Sequence, residues 1–148
     1  VMVFDTWGGS LAAAAYLEFS LQYMERIVAG VRAQHDVPVI LFTKGGGQWL
    51  EAIAATGCQA LGVDWTCDIG AARKRVGDRV ALQGNLDPAV LRAGAEVVDS
   101  ETRQVIDSFG PHPGHVFNLG HGVTPDIDPE RVALVVETVH AHSRSLQP

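Results

Sequence analysis

The stretch VPVILFTKGGGQWLE, residues 37–51, decides how the chain is read. From Val37 to Phe42 it is apolar at nearly every position instead of alternating, as expected of a strand covered on both faces. It ends in Thr43, Lys44 and three glycines, and a helical pattern begins directly afterwards. The same order recurs on either side. The β-rich runs VMVF (1–4), QALGVDW (59–65), RVALQG (79–84) and HVFNLG (115–120) each lead through a polar or glycine-rich turn to a helical segment. Five strands alternating with helices make a parallel α/β sheet, either doubly wound or part of a barrel.

The helical segments carry their own signals. Leu17, Leu21, Met24, Val28 and Val31 step by four and three, which places them on one face of a long helix. Gly57 and Gly77 follow shorter helical runs, where a left-handed cap is wanted. Asp68 reads as an N-cap, and Asp87-Pro88 and Asp128-Pro129 pair a capping carboxylate with proline at the first helical position. The last helix is expected to bury Val132, Val135, Val136 and Val139.

Composition narrows the function classes. The chain has 148 residues, 47% of them hydrophobic, enough for one core and a single domain spanning residues 1–148. There is no long apolar run to cross a membrane, and VMVFDTWGG lacks the basic flank of a signal peptide. A formal net charge of −6, with 11 Lys and Arg spread along the chain, gives no footprint for nucleic acid. Cys58 and Cys67 lack both metal-type spacing and a disulfide framework, so a reducing compartment, the cytoplasm, is expected.

In either parallel architecture, ligands meet the carboxyl ends of the strands. Those ends read DTWGGS (5–10), TKGGG (43–47), DWT (64–66), QGNLDP (83–88) and NLGHG (118–122). All are polar or glycine-rich, as an active-site rim would be. His121 lies between two glycines that leave its ring unshielded; the alternative is a loop histidine bonded to a carbonyl. His35, His112 and His115 read as loop residues, and His140 and His142 sit in the last turns of the final helix, where a cation suits the dipole. Asp5 and Asp64 end strands as acids, bases or helix caps. TKGGG has the wrong order for a Walker A motif, because Lys44 precedes the glycines. The strand ends supply one histidine, two scattered carboxylates and no H-x-C arrangement, so no catalytic metal is expected.

Taken in order, FDTWGG, LFTKGGGQWLE, GVDWTCDI, VALQGNLDP and FNLGHGVTPDIDPE resemble the carboxyl-terminal part of the uroporphyrinogen decarboxylase family of the haem pathway. The resemblance runs over essentially the whole chain. It implies the carboxyl-terminal portion of a (β/α)8 TIM barrel, about five parallel strands alternating with helices. A complete barrel takes about 250 residues, so the resemblance also implies an upstream part holding the catalytic aspartate and substrate-binding arginines. Two positions match residues that the family uses on substrate: Thr6 in FDTWGG, as a hydroxyl, and His121 in NLGHG, as a contact to a substrate carboxylate. Phe4 and Trp7 are implied to line the cleft nearby. The implied substrate is a tetrapyrrole, uroporphyrinogen, decarboxylated at its four acetate arms without a cofactor by an enzyme that forms a homodimer when full length. Two other classes share the sequence features. One is a zinc- and cobalamin-linked methyltransferase of the same barrel superfamily, which would need histidine and cysteine ligands at strand ends. The other is an inactive binding or assembly fragment.

Overall fold

A computed structural model describes residues 1–146. Five strands form one sheet: β1 (Met2–Asp5), β2 (Ile40–Thr43), β3 (Ala60–Gly62), β4 (Ala81–Leu86) and β5 (His115–Leu119). They lie in the order β1-β2-β3-β4-β5, and every neighbouring pair is parallel. Each strand is followed by helix: α1 (Ala13–Tyr16) and α2 (Gln22–Gln34) after β1, α3 (Leu50–Ala54) after β2, α4 (Ile69–Val76) after β3, α5 (Ala95–Phe109) after β4, and α6 (Pro129–Ser145) after β5. None of these helices is long and apolar enough to cross a membrane.

Side chains on one face of the sheet meet the helices. Leu41, Leu61 and Leu82 are fully buried there against Val28, Ile53, Ile69 and Val76. A second apolar cluster joins Leu86 of β4 to Val98 of α5 and Val135 of α6, with Phe117 and Leu119 of β5 packed against it. Tyr16 closes the outer layer. It stacks on Trp49 with ring centroids 3.8 Å apart, and its hydroxyl hydrogen-bonds the Thr43 Oγ1 at 2.9 Å. Burial pushes the Tyr16 phenol up to about 12.

The opposite face is concave. Met2 and Phe4 of β1 and Asn118 of β5 line one hollow, although their strands stand at opposite ends of the sheet order. The sheet therefore curls, which favours the barrel over the doubly wound alternative.

Several sequence expectations change here. Coverage on both faces fails for the edge strands: Phe4 is 65% exposed and Val116 46%. Phe4 faces the hollow, and Val116 lies on the same strand as Asn118 of its wall; the described residues provide nothing to cover either. Leu17 is exposed because Leu17–Leu21 forms a π turn, which brings residues five apart into register and gives Tyr16 the buried place beside Leu21. Val136 is likewise turned to solvent, leaving Val135 as the buried valine of α6. Gly57 adopts the left-handed conformation at φ +84, but Gly77 stays right-handed at φ −70. What Gly77 meets is crowding, since a Cβ there would run into the Arg73 carbonyl. The capping aspartates hold as read: Asp68 accepts from the Ala71 N–H at 2.7 Å, Asp87 from Ala89 at 2.8 Å and Asp128 from Glu130 at 2.9 Å. Asp87, however, opens a 3-10 turn, Pro88–Arg92, instead of an α-helix.

Candidate active-site cleft

The hollow is a cleft of about 520 Å³ at the carboxyl ends of the strands. Its walls are aromatic and apolar. Phe4 stands in register with Phe42 on the neighbouring strand, their rings edge to face at 6.0 Å. Thr6 follows β1 at the rim, and Gly120, His121 and Gly122 follow β5 on the other side.

The His121 ring is held between two aromatic groups. Phe42 lies 6.2 Å away and Trp65 6.3 Å away, both edge-on, within the range where aromatic pairs attract. Close backbone approach at Gly120 makes this possible, because a Cβ there would strike the Trp65 backbone nitrogen. Among the described residues, neither the His121 ring nitrogens nor the Thr6 hydroxyl has a hydrogen-bond partner. The alternative of a carbonyl-bonded loop histidine therefore does not describe His121. It does describe His115, which lies at the start of β5, not in a loop. His115 stacks on Phe109 at 4.4 Å and its Nε2 meets the Gly84 carbonyl at 2.9 Å, while burial lowers its pKa below the ordinary value.

The strand-end carboxylates are taken up by hydrogen bonds within turns. Asp5 accepts the N–H groups of Trp7 at 3.1 Å and Gly8 at 2.8 Å, and also the Ser20 hydroxyl. Asp64, almost fully buried, accepts the Thr66 N–H at 2.9 Å and hydroxyl at 2.5 Å, together with the Gly45 N–H. Both carboxylates stabilise turns at the rim. Trp7 stands outside the cleft. It is 77% exposed and borders a shallow adjoining groove with Thr6, Lys44, Gly45 and Asp64.

Three residues in or beside the cleft were not singled out from sequence. Trp65 flanks His121. Gln83, only 8% exposed, lines the floor, with its Nε2 donating to the Met2 thioether at 3.4 Å. Asn85 ties the end of β4 to the turn after β3, donating to the carbonyls of Asp64 at 2.9 Å and Cys67 at 2.5 Å. The VDW and QGN motifs marked these as strand-end residues, but the curl of the sheet selects which of them face inward. Cys58 and Cys67 are both free thiols, each pushed up by burial. Among the described residues, no group of three or more histidine, cysteine, aspartate or glutamate side chains is arranged to hold a metal.

Comparison with known proteins gives this geometry its context. The family model described as uroporphyrinogen decarboxylase (URO-D) matches residues 1–142. The chain belongs to the uroporphyrinogen decarboxylase family. It is similar to the uroporphyrinogen decarboxylase of Thioalkalivibrio sulfidiphilus, with 67% identity over 95% of this chain and 41% of that protein. Its likeness to the enzyme of the same name from Aromatoleum aromaticum is 62% over 99% of this chain and 42% of that protein. The chain thus spans about two fifths of the length of the curated relatives it matches. Among solved structures, a methyltransferase from Methanosarcina mazei superposes with a TM-score of 0.76 over 95% of this chain and 41% of its own. At 17% sequence identity that likeness shows the fold alone. The fold is the carboxyl-terminal portion of a (β/α)8 barrel.

Proposed function

We propose that residues 1–148 form one unit of a full-length uroporphyrinogen decarboxylase and supply one side of its substrate cleft. The reaction is removal of CO2 from the four acetate arms of uroporphyrinogen III to give coproporphyrinogen III. The observation that carries this reading is the meeting of Phe4, Thr6 and His121 at one cleft, with the hydroxyl and the ring nitrogens unengaged among the described residues. Apolar walls from Phe4 and Phe42 suit the faces of a tetrapyrrole, and polar groups at the rim suit its carboxylates.

The chemistry asks for positioning and electrostatics more than for a reactive side chain. A pyrrole ring carbon accepts a proton, the bond from the acetate methylene to its carboxylate breaks, and the electron pair moves into the cationic ring as CO2 leaves. The resulting exocyclic methylene takes a proton to become a methyl group, and the ring proton is lost again. Each arm consumes one proton net. Groups that gather the carboxylates fix the macrocycle so that one arm at a time is presented. In this reading His121 and Thr6 hold carboxylates, and the acid that steadies the cationic ring belongs to the remainder of the enzyme. Cytoplasmic location, for which two free thiols are suited, and homodimer assembly belong to the same proposal.

The test is turnover of uroporphyrinogen III by the full-length enzyme, with products oxidised to porphyrins and separated by carboxylate number. Stepwise appearance of seven-, six-, five- and four-carboxyl species is expected. An enzyme of verified fold that leaves the eight-carboxyl substrate untouched sinks the proposal.

A further inference from the structure

Lys44 occupies a particular position on the rim. It follows β2 directly, and its backbone N–H donates to the Asp5 carbonyl at 3.1 Å, which fixes it beside the strand end that leads into Thr6. Its Nζ lies over the Trp65 indole, 5.6 Å from the ring centroid, and Trp65 in turn faces His121. One indole therefore stands between an ammonium group and an imidazole. The groove that Lys44 lines shares Thr6 with the main cleft, so the two concavities adjoin at that residue.

The other charges nearby are already engaged. Asp64, the carboxylate lining the same groove, is almost fully buried and accepts three hydrogen bonds from Gly45 and Thr66. Arg92, a second cation leaving a strand end, is occupied by Asp126 and Thr124. Among the described residues Lys44 makes no ion pair. A cation stacked on an aromatic face is steered in direction while its N–H donors stay available to an anion.

We infer that Lys44 is a further substrate-binding residue, whose ammonium takes a tetrapyrrole carboxylate at the part of the rim shared with Thr6, with Trp65 as the platform that aims it. The inference rests on the decarboxylase reading above. It makes Thr6, Lys44 and His121 a polar arc around the aromatic wall, each group meeting a different part of a polycarboxylate. Lysine suits a flexible, singly contacted arm, since it offers a mobile point charge in place of a rigid fork.

The experiment uses the full-length enzyme with Lys44→Met, which keeps the stem and removes the charge, and Lys44→Arg, which restores a cation. Uroporphyrin, the stable eight-carboxyl macrocycle, serves as a binding probe beside turnover of uroporphyrinogen. For Lys44→Met, KM and the uroporphyrin Kd are expected to rise about two- to fivefold, the scale of one partly exposed charge pair. Its kcat should change less than twofold, its melting temperature should hold, and its binding should lose part of its salt sensitivity. Lys44→Arg should recover most of the affinity. Unchanged KM and Kd in a stable Lys44→Met enzyme overturn the assignment. So does a joint fall in kcat and melting temperature that arginine does not rescue, because that is the pattern of a structural lysine. A wild-type enzyme that binds uroporphyrin but turns nothing over overturns the decarboxylase reading and leaves the Lys44 contact to be judged by Kd, where the same fold-changes decide.

Discussion

Arg92 grips Asp126 with two nitrogens, Nε at 2.9 Å from Oδ2 and Nη2 at 3.2 Å from Oδ1, while Nη2 also donates to the Thr124 hydroxyl at 2.8 Å. The clamp joins the turn after β4 to the loop that begins with His121. Hydrogen bonds from Thr124 and Arg92 hold the Asp126 carboxyl at about 2, so its contribution is present above the ordinary carboxylate value and lost only as pH falls through that low one. Arg92→Met should therefore loosen the His121 loop equally at every pH from 5 to 8. A several-fold rise in KM with little change in melting temperature is expected. An unaltered KM removes the clamp from the function of the cleft.

Thr6→Val keeps the shape of the side chain and deletes its hydroxyl. If that hydroxyl donates to a substrate carboxylate, the full-length enzyme should bind substrate more weakly by roughly 1.5 to 3 kcal/mol, the scale of hydrogen bonds to charged groups. Michaelis and turnover constants equal to wild type would take Thr6 out of the site.

His121 separates two roles under two substitutions. Asparagine keeps a donor without the capacity for charge, so activity should fall partially; phenylalanine leaves a carboxylate facing an apolar ring and should be worse. Because Phe42 and Trp65 already surround the ring, phenylalanine also fits the site, and the melting temperature should hold. Full turnover by a stable His121→Phe enzyme contradicts a carboxylate contact.

His115 carries a pH dependence of stability unconnected with catalysis. Its folded pKa is lowered by burial, so below the ordinary value of 6.5 the unfolded chain binds the proton first. Stability from this residue is complete above that value and is lost as pH falls toward the depressed one. Melting curves of the full-length enzyme between pH 7 and 5 should show a decline that His115→Gln reduces. An identical decline in both proteins assigns it to other groups.

The 148 residues alone should self-associate. β1 and β5 each pair on one side only, and Phe4 and Val116 present apolar surface beside those open edges. Sedimentation of the isolated chain should show oligomers; a monodisperse monomer with a cooperative melt contradicts this.

All five strands and the caps at Asp68 and Asp128 were legible, because unbroken apolar runs and capping carboxylates are local signals. The rim residues Thr6 and His121 were reached through position at strand ends and through family resemblance. What the sequence concealed depends on tertiary placement. Nothing local marks Trp65 as the neighbour of His121, since the contact exists only because Gly120 lets two loops approach. Asp5 and Asp64 had the same local look as catalytic acids, and only their hydrogen-bond partners identify them as residues that brace turns. Leu17 and Val136 fitted the helical period, but a π turn displaced the first, and the second borders a cavity beside Leu91 and Phe117 that leaves it 48% exposed.

The strict succession of strands has a kinetic consequence. Among the described residues every strand hydrogen-bonds only to strands adjacent to it in the chain, so each pairing closes one crossover and then exposes the edge that the next strand needs. The crossovers, residues 6–39, 44–59, 63–80 and 87–114, differ in length, but closure entropy grows only with the logarithm of loop length, so their costs are similar and the sheet can lengthen at one growing end as the chain leaves the ribosome. A lesion in β3 should stall everything added after it, whereas a lesion in β5 should leave the earlier strands able to assemble.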